Sequence, residues 1–155
     1  MRQLELRRHA RRDPTADRLS AEGRAQAEDV GRAAVADYAV VFVSPAERTA
    51  ETAAWILRGA AQQLPEHAVI PGLGGQDSSG GSPEGMAAGV RALLDRVPPD
   101  GRGLAVSHTP LVERAAEGLT GDVVAPMDEC EGLLISMDER GEIRVEELRI
   151  QAHGR

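Results

Sequence analysis

Residues 40–52 read VVFVSPAERTAET, and this stretch predicts a buried strand that runs through a polar turn into a helix. Ala39 to Val43 is a compact apolar run, typical of a strand that is covered on both faces. Ser44 and Pro45 then favour a helix over about Ala46 to Leu57, because proline is well tolerated in a first helical turn. A strand that leads directly into a helix is the repeating unit of an α/β fold.

The same order of strand, polar turn and helix recurs in LELRRHA at residues 4–10 and in GLAVSHTPLVE at residues 103–113. The first of these predicts a strand over about Gln3 to Arg8. Glu5 and Arg7 interrupt its apolar pattern, which leaves open how deeply the strand is buried. The other predicted elements are a loop over Ala10 to Arg18, a helix over Ala21 to Ala36 capped by Ser20, a strand over Ala68 to Ile70, a flexible segment over Gly72 to Gly81, a helix from Ser82-Pro83 to about Val97, a strand over Gly103 to Ser107, a helix over Pro110 to Leu119, and a hairpin of Gly132 to Met137 with Ile143 to Leu148.

Strands and helices alternate as far as Leu119, and this alternation predicts the fold class. We expect an α/β fold, a three-layer sandwich whose mostly parallel sheet carries helices on both faces, with a C-terminal antiparallel hairpin at the edge of the sheet. The Gly- and Ser-rich segment is too short to separate two domains. Residues 1–155 are therefore expected to form a single domain.

The composition limits the kinds of partner and the location. Hydrophobic residues make up 41% of the 155 and charged residues 28%, as in a soluble globular protein. The net charge of −7 argues against nucleic acid as a partner, and no apolar run is long enough to span a membrane. The N-terminus lacks an apolar signal core, and Cys130 is the single cysteine, so a cytoplasmic location is expected. The oligomeric state stays open.

His9, Arg48 and His108 each follow one of the predicted strands. The carboxyl ends of parallel strands lie at one edge of a sheet, where ligands bind, so these side chains can converge although they are far apart in the chain. Arg8 precedes His9 and can join them. Arginine matches phosphate through its planar pair of donors, and a neutral imidazole can attack phosphorus. The sequence therefore indicates a site for phosphoryl transfer.

Arg48 carries a further signal, because it falls in the first turn of its predicted helix. A cation at this position opposes the helix dipole unless an anion lies nearby. Its position therefore indicates an anion at the start of this helix.

The chain resembles the histidine phosphatase (phosphoglycerate-mutase-like) superfamily. The resemblance covers about Leu4 to Gly121, and the short chain, together with Leu119-Thr120-Gly121, is similar to the short bacterial branch that includes protein phosphohistidine phosphatases. Four motifs in the family's order carry it, and together they are far more specific than any one of them. They are RHA at residues 8–10, LSAEGRAQA at 19–27, SPAERTAETA at 44–53 and SHTP at 107–110.

The resemblance implies a role for each matched residue. His9 is the phosphorylated nucleophile, and Arg8, Arg48 and His108 form the phosphate pocket. Arg18 can also reach the phosphate from the first loop. No metal or other cofactor is expected, because no cluster has metal-ligand spacing and cationic side chains can take the metal's place.

The general acid is the part of the site that the sequence leaves open. Glu84, in Pro83-Glu84-Gly85, is the best candidate by position, although a carboxylate in the first turn of a helix is also explained by the helix dipole alone. Asp13, Asp17 and Asp77 remain alternatives.

Two functions fit this sequence best, and a mutase is a third possibility that the short chain disfavours. The first is a metal-independent phosphatase that hydrolyses a phosphoester or a protein phosphohistidine through a phosphohistidine intermediate on His9. Its partner is then a phosphorylated small molecule or a phosphohistidine protein. The alternative is a catalytically silent domain of the same fold that binds a phosphorylated ligand or protein.

Overall fold

The computed structural model of the protein describes residues 1–76 and 81–150. Its strands are β1 (Arg2–Arg8), β2 (Val40–Val43), β3 (Glu66–Val69), β4 (Arg102–Ser107), β5 (Gly132–Met137) and β6 (Ile143–Leu148). Its α-helices are α1 (Ala21–Arg32), α2 (Glu47–Gly59), α3 (Pro83–Asp95) and α4 (Leu111–Thr120), and a short 3-10 turn covers Pro71–Gly74. Within the described ranges, no helix has the length and apolar character needed to cross a bilayer.

One six-stranded sheet runs through the molecule in the order β3-β2-β4-β1-β5-β6. β3, β2, β4 and β1 are parallel neighbours, whereas β5 pairs antiparallel with both β1 and β6. The predicted mixed sheet is confirmed, with the C-terminal hairpin at its edge.

The helices cover both faces of this sheet. Alternate residues of the central strands β2 and β4 enter two separate clusters, as strand geometry requires. Phe42 of β2 packs with apolar residues of α3 and α4, such as Leu94 and Val112. Val41 of the same strand packs instead with α2, where Ile56 is fully buried. The predicted three-layer arrangement is confirmed.

The depth of β1, which the sequence left open, follows from paired charges. β1 lies between β4 and β5, and Glu5 is only 4% exposed. Its carboxylate accepts hydrogen bonds from Arg102 Nη1 at 3.0 Å, Arg7 Nε at 3.0 Å and the Tyr38 hydroxyl at 2.8 Å. A buried carboxylate is tolerated when its oxygens are satisfied in this way. Glu5 therefore belongs to the interior, and Arg7 is half-buried beside it.

Several element boundaries differ from the prediction. Helix α1 ends at Arg32, four residues before the predicted end at Ala36. The Ala34 amide donates to the Gly31 carbonyl, only three residues back, so the α-helical hydrogen-bond pattern does not continue there. The alanines that follow favour a helix, but the chain must reverse there to enter β2.

The third strand and the segment after it also differ. β3 covers residues 66–69 instead of 68–70, and as an edge strand it shows little apolar pattern; Val69 is 59% exposed. The predicted flexible segment over 72–81 begins within the 3-10 turn, and residues 77–80 lie outside the described part of the chain.

Helices α1 and α2 cross through glycine. A Cβ atom on Gly31 would lie 1.9 Å from the Ile56 carbonyl oxygen, and one on Gly59 would lie 2.0 Å from the Glu28 carbonyl oxygen. Neither position has room for a side chain. The two backbones therefore touch directly, and this contact holds α2 close against α1.

We expect Gly31→Ala to destabilise the protein by about 1–3 kcal/mol or more, since the added methyl must force the helices apart. The matched control is Gly89→Ala in α3, where a Cβ meets nothing within 4 Å. Alanine there should stabilise the protein by about 0.5–1 kcal/mol through helix propensity. Urea unfolding of both variants measures the difference, and equal effects from the two would contradict the close helix crossing.

Candidate active site

The parallel strands bring three predicted residues to one edge of the sheet. His9 follows β1 and His108 follows β4, and these strands are neighbours with Arg8 paired to Ser107. β2 lies on the other side of β4, so Arg48, in the first turn of α2, reaches the same edge. The amide of His9 donates to the Ser107 carbonyl at 3.0 Å, which continues the strand pairing into the site.

Arg48 lies between the two histidines. Its Nε is 3.4 Å from His9 Nε2, and its Nη2 is 3.2 Å from His108 Nδ1. The two imidazole rings meet edge to face with centroids 5.4 Å apart. All three side chains line an open cavity of about 420 Å³.

Hydrogen bonding assigns the tautomer of His9. Its Nδ1 is 2.7 Å from the Ala10 carbonyl oxygen, which can only accept, so Nδ1 carries the hydrogen. The Ala10 peptide is itself anchored, because its amide donates to Thr52 Oγ1 at 3.0 Å and Thr52 donates to the Arg48 carbonyl at 2.7 Å. His9 Nε2 therefore carries no hydrogen, and its lone pair points at the Arg48 guanidinium.

The same reasoning assigns the tautomer of His108. The guanidinium of Arg48 can only donate, so His108 Nδ1 accepts and Nε2 carries the hydrogen. That hydrogen is donated to Ser44 Oγ at 2.8 Å. Ser44 Oγ lies 3.0 Å from Thr49 Oγ1, and Thr49 also contacts the Ala46 carbonyl at 2.7 Å. A chain of hydroxyls therefore holds the second ring.

The electrostatics of the site keep both rings neutral. Burial lowers the pKa of His9 below its usual 6.5, and the charges of Arg48 and Arg8 lower it further, against the opposing hydrogen bond to Ala10. Burial and the charge of Arg48 lower the pKa of His108 to about 4. Both rings are therefore uncharged at neutral pH in the free protein.

The remaining cavity wall is largely uncharged. Pro45, Pro110 and Leu111 form apolar parts of it, and Gln76 and Thr109 add an amide and a hydroxyl. Among the described residues that line the cavity, none is Asp or Glu. These described parts of the wall therefore carry no negative charge that would oppose a bound anion.

Arg8 is adjacent to His9 but is not among the residues that line the cavity. Its Nη1 donates to the Met127 carbonyl at 2.8 Å, and its Nη2 is 3.5 Å from Glu129 Oε2. Its Nε is buried and has no hydrogen-bond partner within the described residues. One donor of Arg8 is thus left unused beside the site.

Two predicted residues lie outside the cavity. The Arg18 side chain is 61% exposed, and its Nε is 3.3 Å from Asp13 Oδ2. Glu84 is exposed in the first turn of α3, whose N-terminus is capped by Ser82. The structure therefore does not bring Arg18 or Glu84 to the histidines. Asp77, another acid candidate, lies outside the described residues.

Asp17 contacts Arg48 directly. Its Oδ1 is 2.9 Å from Arg48 Nη1 and also accepts from the Arg48 amide at 3.2 Å, while its Oδ2 accepts from the Glu47 amide at 2.9 Å. Burial acts to raise the pKa of Asp17, but these hydrogen bonds outweigh it and lower the pKa. The anion expected at the start of α2 is thus present within the chain itself.

Asp13, the remaining acid candidate, is also an ionised group. A hydrogen bond from the Thr15 amide, reinforced by the Thr15 hydroxyl and Arg18, holds the pKa of Asp13 below its usual range. Neither Asp13 nor Asp17 is therefore suited to donate a proton at neutral pH.

Ser44 contacts His108, and Thr52 anchors the Ala10 peptide beside His9. The sequence analysis gave neither residue a role of its own. Ser44, Arg48 and Thr52 are spaced by four residues, which places them on one side of α2 and its entry turn. This spacing is the feature of the sequence that could have indicated their shared role around the histidines. Gln76 carried no comparable signal.

Comparisons with known proteins bear on the family and the fold of the chain. The sequence profile of the histidine phosphatase superfamily (branch 1) matches residues 4–86, just over half of the chain. No curated protein sequence matches the chain significantly.

Solved structures share the fold at low sequence identity. The protein histidine phosphatase SixA, in complex with tungstate, has a TM-score of 0.74 at 22% identity, over 95% of this chain and 96% of its own. A phosphoserine phosphatase from Entamoeba histolytica has a TM-score of 0.71 at 17% identity, over 97% of this chain and 98% of its own. A phosphoglycerate mutase from Bacillus anthracis has a TM-score of 0.76 at 14% identity, over 94% and 92% of the two chains.

We expect NMR of the histidine rings at pH 7 to show neutral His9 with hydrogen on Nδ1 and neutral His108 with hydrogen on Nε2. His108 should titrate near pH 4 and His9 below 6.5.

Because the unfolded chain binds these protons more readily, the folded state should lose stability as the pH falls below 6.5. Ser44→Ala should release the His108 tautomer and leave that of His9 unchanged. A protonated His108 ring at pH 7 would contradict the assignment.

Proposed function

The chain belongs to the histidine phosphatase superfamily, and on that premise we propose that it is a phosphatase that works through a phosphorylated His9. One observation carries this proposal. The hydrogen bond from His9 Nδ1 to the Ala10 carbonyl, at 2.7 Å, leaves Nε2 as an unprotonated nucleophile in the wall of the cavity. An imidazole that is already neutral and already oriented needs no base to activate it.

The reaction has two transfers. In the first, His9 Nε2 attacks phosphorus, a P–N bond forms, and the bond from phosphorus to the leaving group breaks with its electron pair on the leaving atom, which takes a proton from solvent. In the second, water attacks phosphorus and the bond to His9 breaks. Inorganic phosphate leaves, the proton lost by water goes to solvent, and His9 returns to its neutral form.

The positive groups around His9 suit the charge of a phosphoryl group. The Nε–Nη2 edge of Arg48 is its bidentate edge, and it faces both histidines. Arg8 adds a second positive charge close enough to lower the pKa of His9, although its side chain does not line the cavity. These cationic side chains supply the charge neutralisation that phosphoryl transfer requires, so we expect activity to persist in a chelator.

His108 completes the site through its change of charge. In the free protein its pKa of about 4 reflects burial and the nearby arginine. A bound phosphate dianion reverses the sign of the local field and favours the protonated ring. The ring then donates to a phosphate oxygen from Nδ1 while Nε2 stays on Ser44.

The cavity wall favours a substrate whose leaving group departs without a general acid. Within the described residues no carboxyl group lines the cavity, and Gln76 cannot donate a proton in the way an acid does. A phosphohistidine, whose nitrogen is readily protonated, and an aryl phosphate both leave without much assistance. We therefore propose protein phosphohistidine or an aryl phosphoester as the preferred substrate class. The shared fold with a structure described as a protein histidine phosphatase is consistent with this choice.

We expect rapid quench with a labelled phosphate ester to trap an acid-labile, base-stable phosphoenzyme, and His9→Ala to abolish both the label and turnover. The control is His67→Ala, since His67 is an exposed histidine on the edge strand β3. Full turnover in His9→Ala would remove His9 from the reaction. Phosphate binding without label or turnover in the wild type would instead support a silent domain that binds a phosphorylated ligand.

A series of substrates that differ in leaving-group pKa tests the missing acid. We expect kcat/KM to fall steeply as the leaving-group pKa rises, because a placed general acid is worth roughly 10²–10⁴-fold and would flatten the series. Glu84→Gln should not change the slope, since Glu84 lies outside the cavity lining. A flat wild-type series that becomes steep in Glu84→Gln would identify Glu84 as a working acid and contradict the proposed preference.

A further inference from the structure

We propose that Asp17 is a positioning residue, which holds the Arg48 guanidinium with its Nε–Nη2 edge turned to the two histidines. This inference rests on the proposed function, because it concerns how the same site is prepared for phosphate. It replaces the role of proton donor that the sequence left open for Asp17.

The guanidinium of Arg48 has three nitrogens, and each has a different partner. Nη1 is 2.9 Å from Asp17 Oδ1, Nε is 3.4 Å from His9 Nε2, and Nη2 is 3.2 Å from His108 Nδ1. The group is planar and rigid, so holding Nη1 on one side fixes where the opposite edge points. The bond to Asp17 is the shortest of the three and the only one to a charged acceptor, which makes it the strongest constraint on the plane.

Asp17 is itself tied to the backbone that carries Arg48. Its two oxygens accept from the amides of Glu47 and Arg48, at 2.9 and 3.2 Å. Ala46, the residue at the N-cap of α2, supplies no side-chain cap, so Asp17 performs that task from a distant loop. One carboxylate thus binds both the main chain and the side-chain tip of Arg48. The side chain, with its several rotatable bonds, is held at both ends.

The loop that presents Asp17 is held in place independently of Arg48. Arg12 and Leu19 form an isolated bridge across the base of the loop. The Leu19 amide donates to Glu51 Oε1 at 2.7 Å, and Arg24 Nε donates to Glu51 Oε2 at 2.8 Å. Glu51 therefore anchors the same loop to the same helix through partners other than the Arg48 guanidinium, and it provides a matched control.

Positioning and simple electrostatics predict opposite effects on phosphate binding. Asp17 is a negative charge beside the site, so removing its charge alone should tighten the binding of an anion. If Asp17 orients Arg48, its removal frees the guanidinium and should weaken phosphate binding. The direction of the change therefore separates the two roles.

The experiment measures inorganic phosphate binding by NMR titration of the histidine rings, and kcat and KM with 4-nitrophenyl phosphate. The variants are Asp17→Asn, which keeps the shape, Asp17→Ala, Arg48→Ala, the double variant Asp17→Asn with Arg48→Ala, and the control Glu51→Gln. Thermal unfolding of each variant reports separately on the lost helix cap. The phosphate titration does not depend on turnover, so it tests Asp17 even if the proposed hydrolysis fails.

We expect both Asp17 variants to weaken phosphate binding and to lower kcat/KM by about tenfold, the scale of coupling between contacting residues. The loss should fall mainly on kcat, because bidentate contacts to the phosphoryl oxygens strengthen in the transition state. In the Arg48→Ala background the Asp17 substitution should add no further loss, and Glu51→Gln should behave like the wild type in both assays.

Three results would overturn the proposal. The first is phosphate binding in Asp17→Asn that is unchanged or tighter than in the wild type. The second is a loss of affinity and kcat/KM from Asp17→Asn that is just as large when Arg48 is already alanine. The third is a loss in Glu51→Gln as large as that in Asp17→Asn. Failure of the wild type to bind phosphate would overturn both this inference and the proposed function. Phosphate binding that depends on Asp17 without any turnover would reject the hydrolysis and keep the positioning role.

Discussion

A guanidinium can lie between two imidazoles only if both rings are neutral and direct a lone pair at it, and this constraint organises the site. Arg48 approaches His9 Nε2 and His108 Nδ1, at 3.4 and 3.2 Å. Each ring must then carry its hydrogen on the other nitrogen. That hydrogen is donated to the Ala10 carbonyl by His9 and to Ser44 Oγ by His108. The tautomers of both rings are thus matched to one cation held at the ends of three parallel strands, and burial together with this cation keeps both rings neutral.

The last residues of β1, which lead to His9, are each anchored by hydrogen bonds to a different partner. Arg7 joins the buried Glu5 and also donates to the Cys130 carbonyl at 2.7 Å. Arg8, on the opposite face of the strand, donates to the Met127 carbonyl at 2.8 Å. The Cys130 amide returns to the Arg8 carbonyl at 3.2 Å. The segment that enters β5 is therefore tied to the strand that carries His9, and the C-terminal hairpin supports the site.

The sequence was informative where structure is local. The run of apolar residues before Ser44 predicted β2. The positions of His9, Arg48 and His108 after three predicted strands indicated that they meet at one edge of the sheet, because parallel strands share that edge. It was less informative at β3, an exposed edge strand without an apolar pattern, and at the end of α1, where alanines favour a helix but the chain must turn.

The amino-acid sequence by itself determined the order of strands and helices, the family and the three residues that converge, because periodicity, capping residues and motif spacing act over short stretches of chain. Only the tertiary structure decided which other side chains join them. Glu84 and Arg18 were candidates from the sequence but do not line the cavity, whereas Asp17 meets Arg48 across 31 positions of sequence. A contact of that kind depends on how a loop closes over a helix start. That closure is set by packing and hydrogen bonds between distant segments. The place of Arg48 in a first helical turn indicated an anion there, but no local pattern identified Asp17 as that anion.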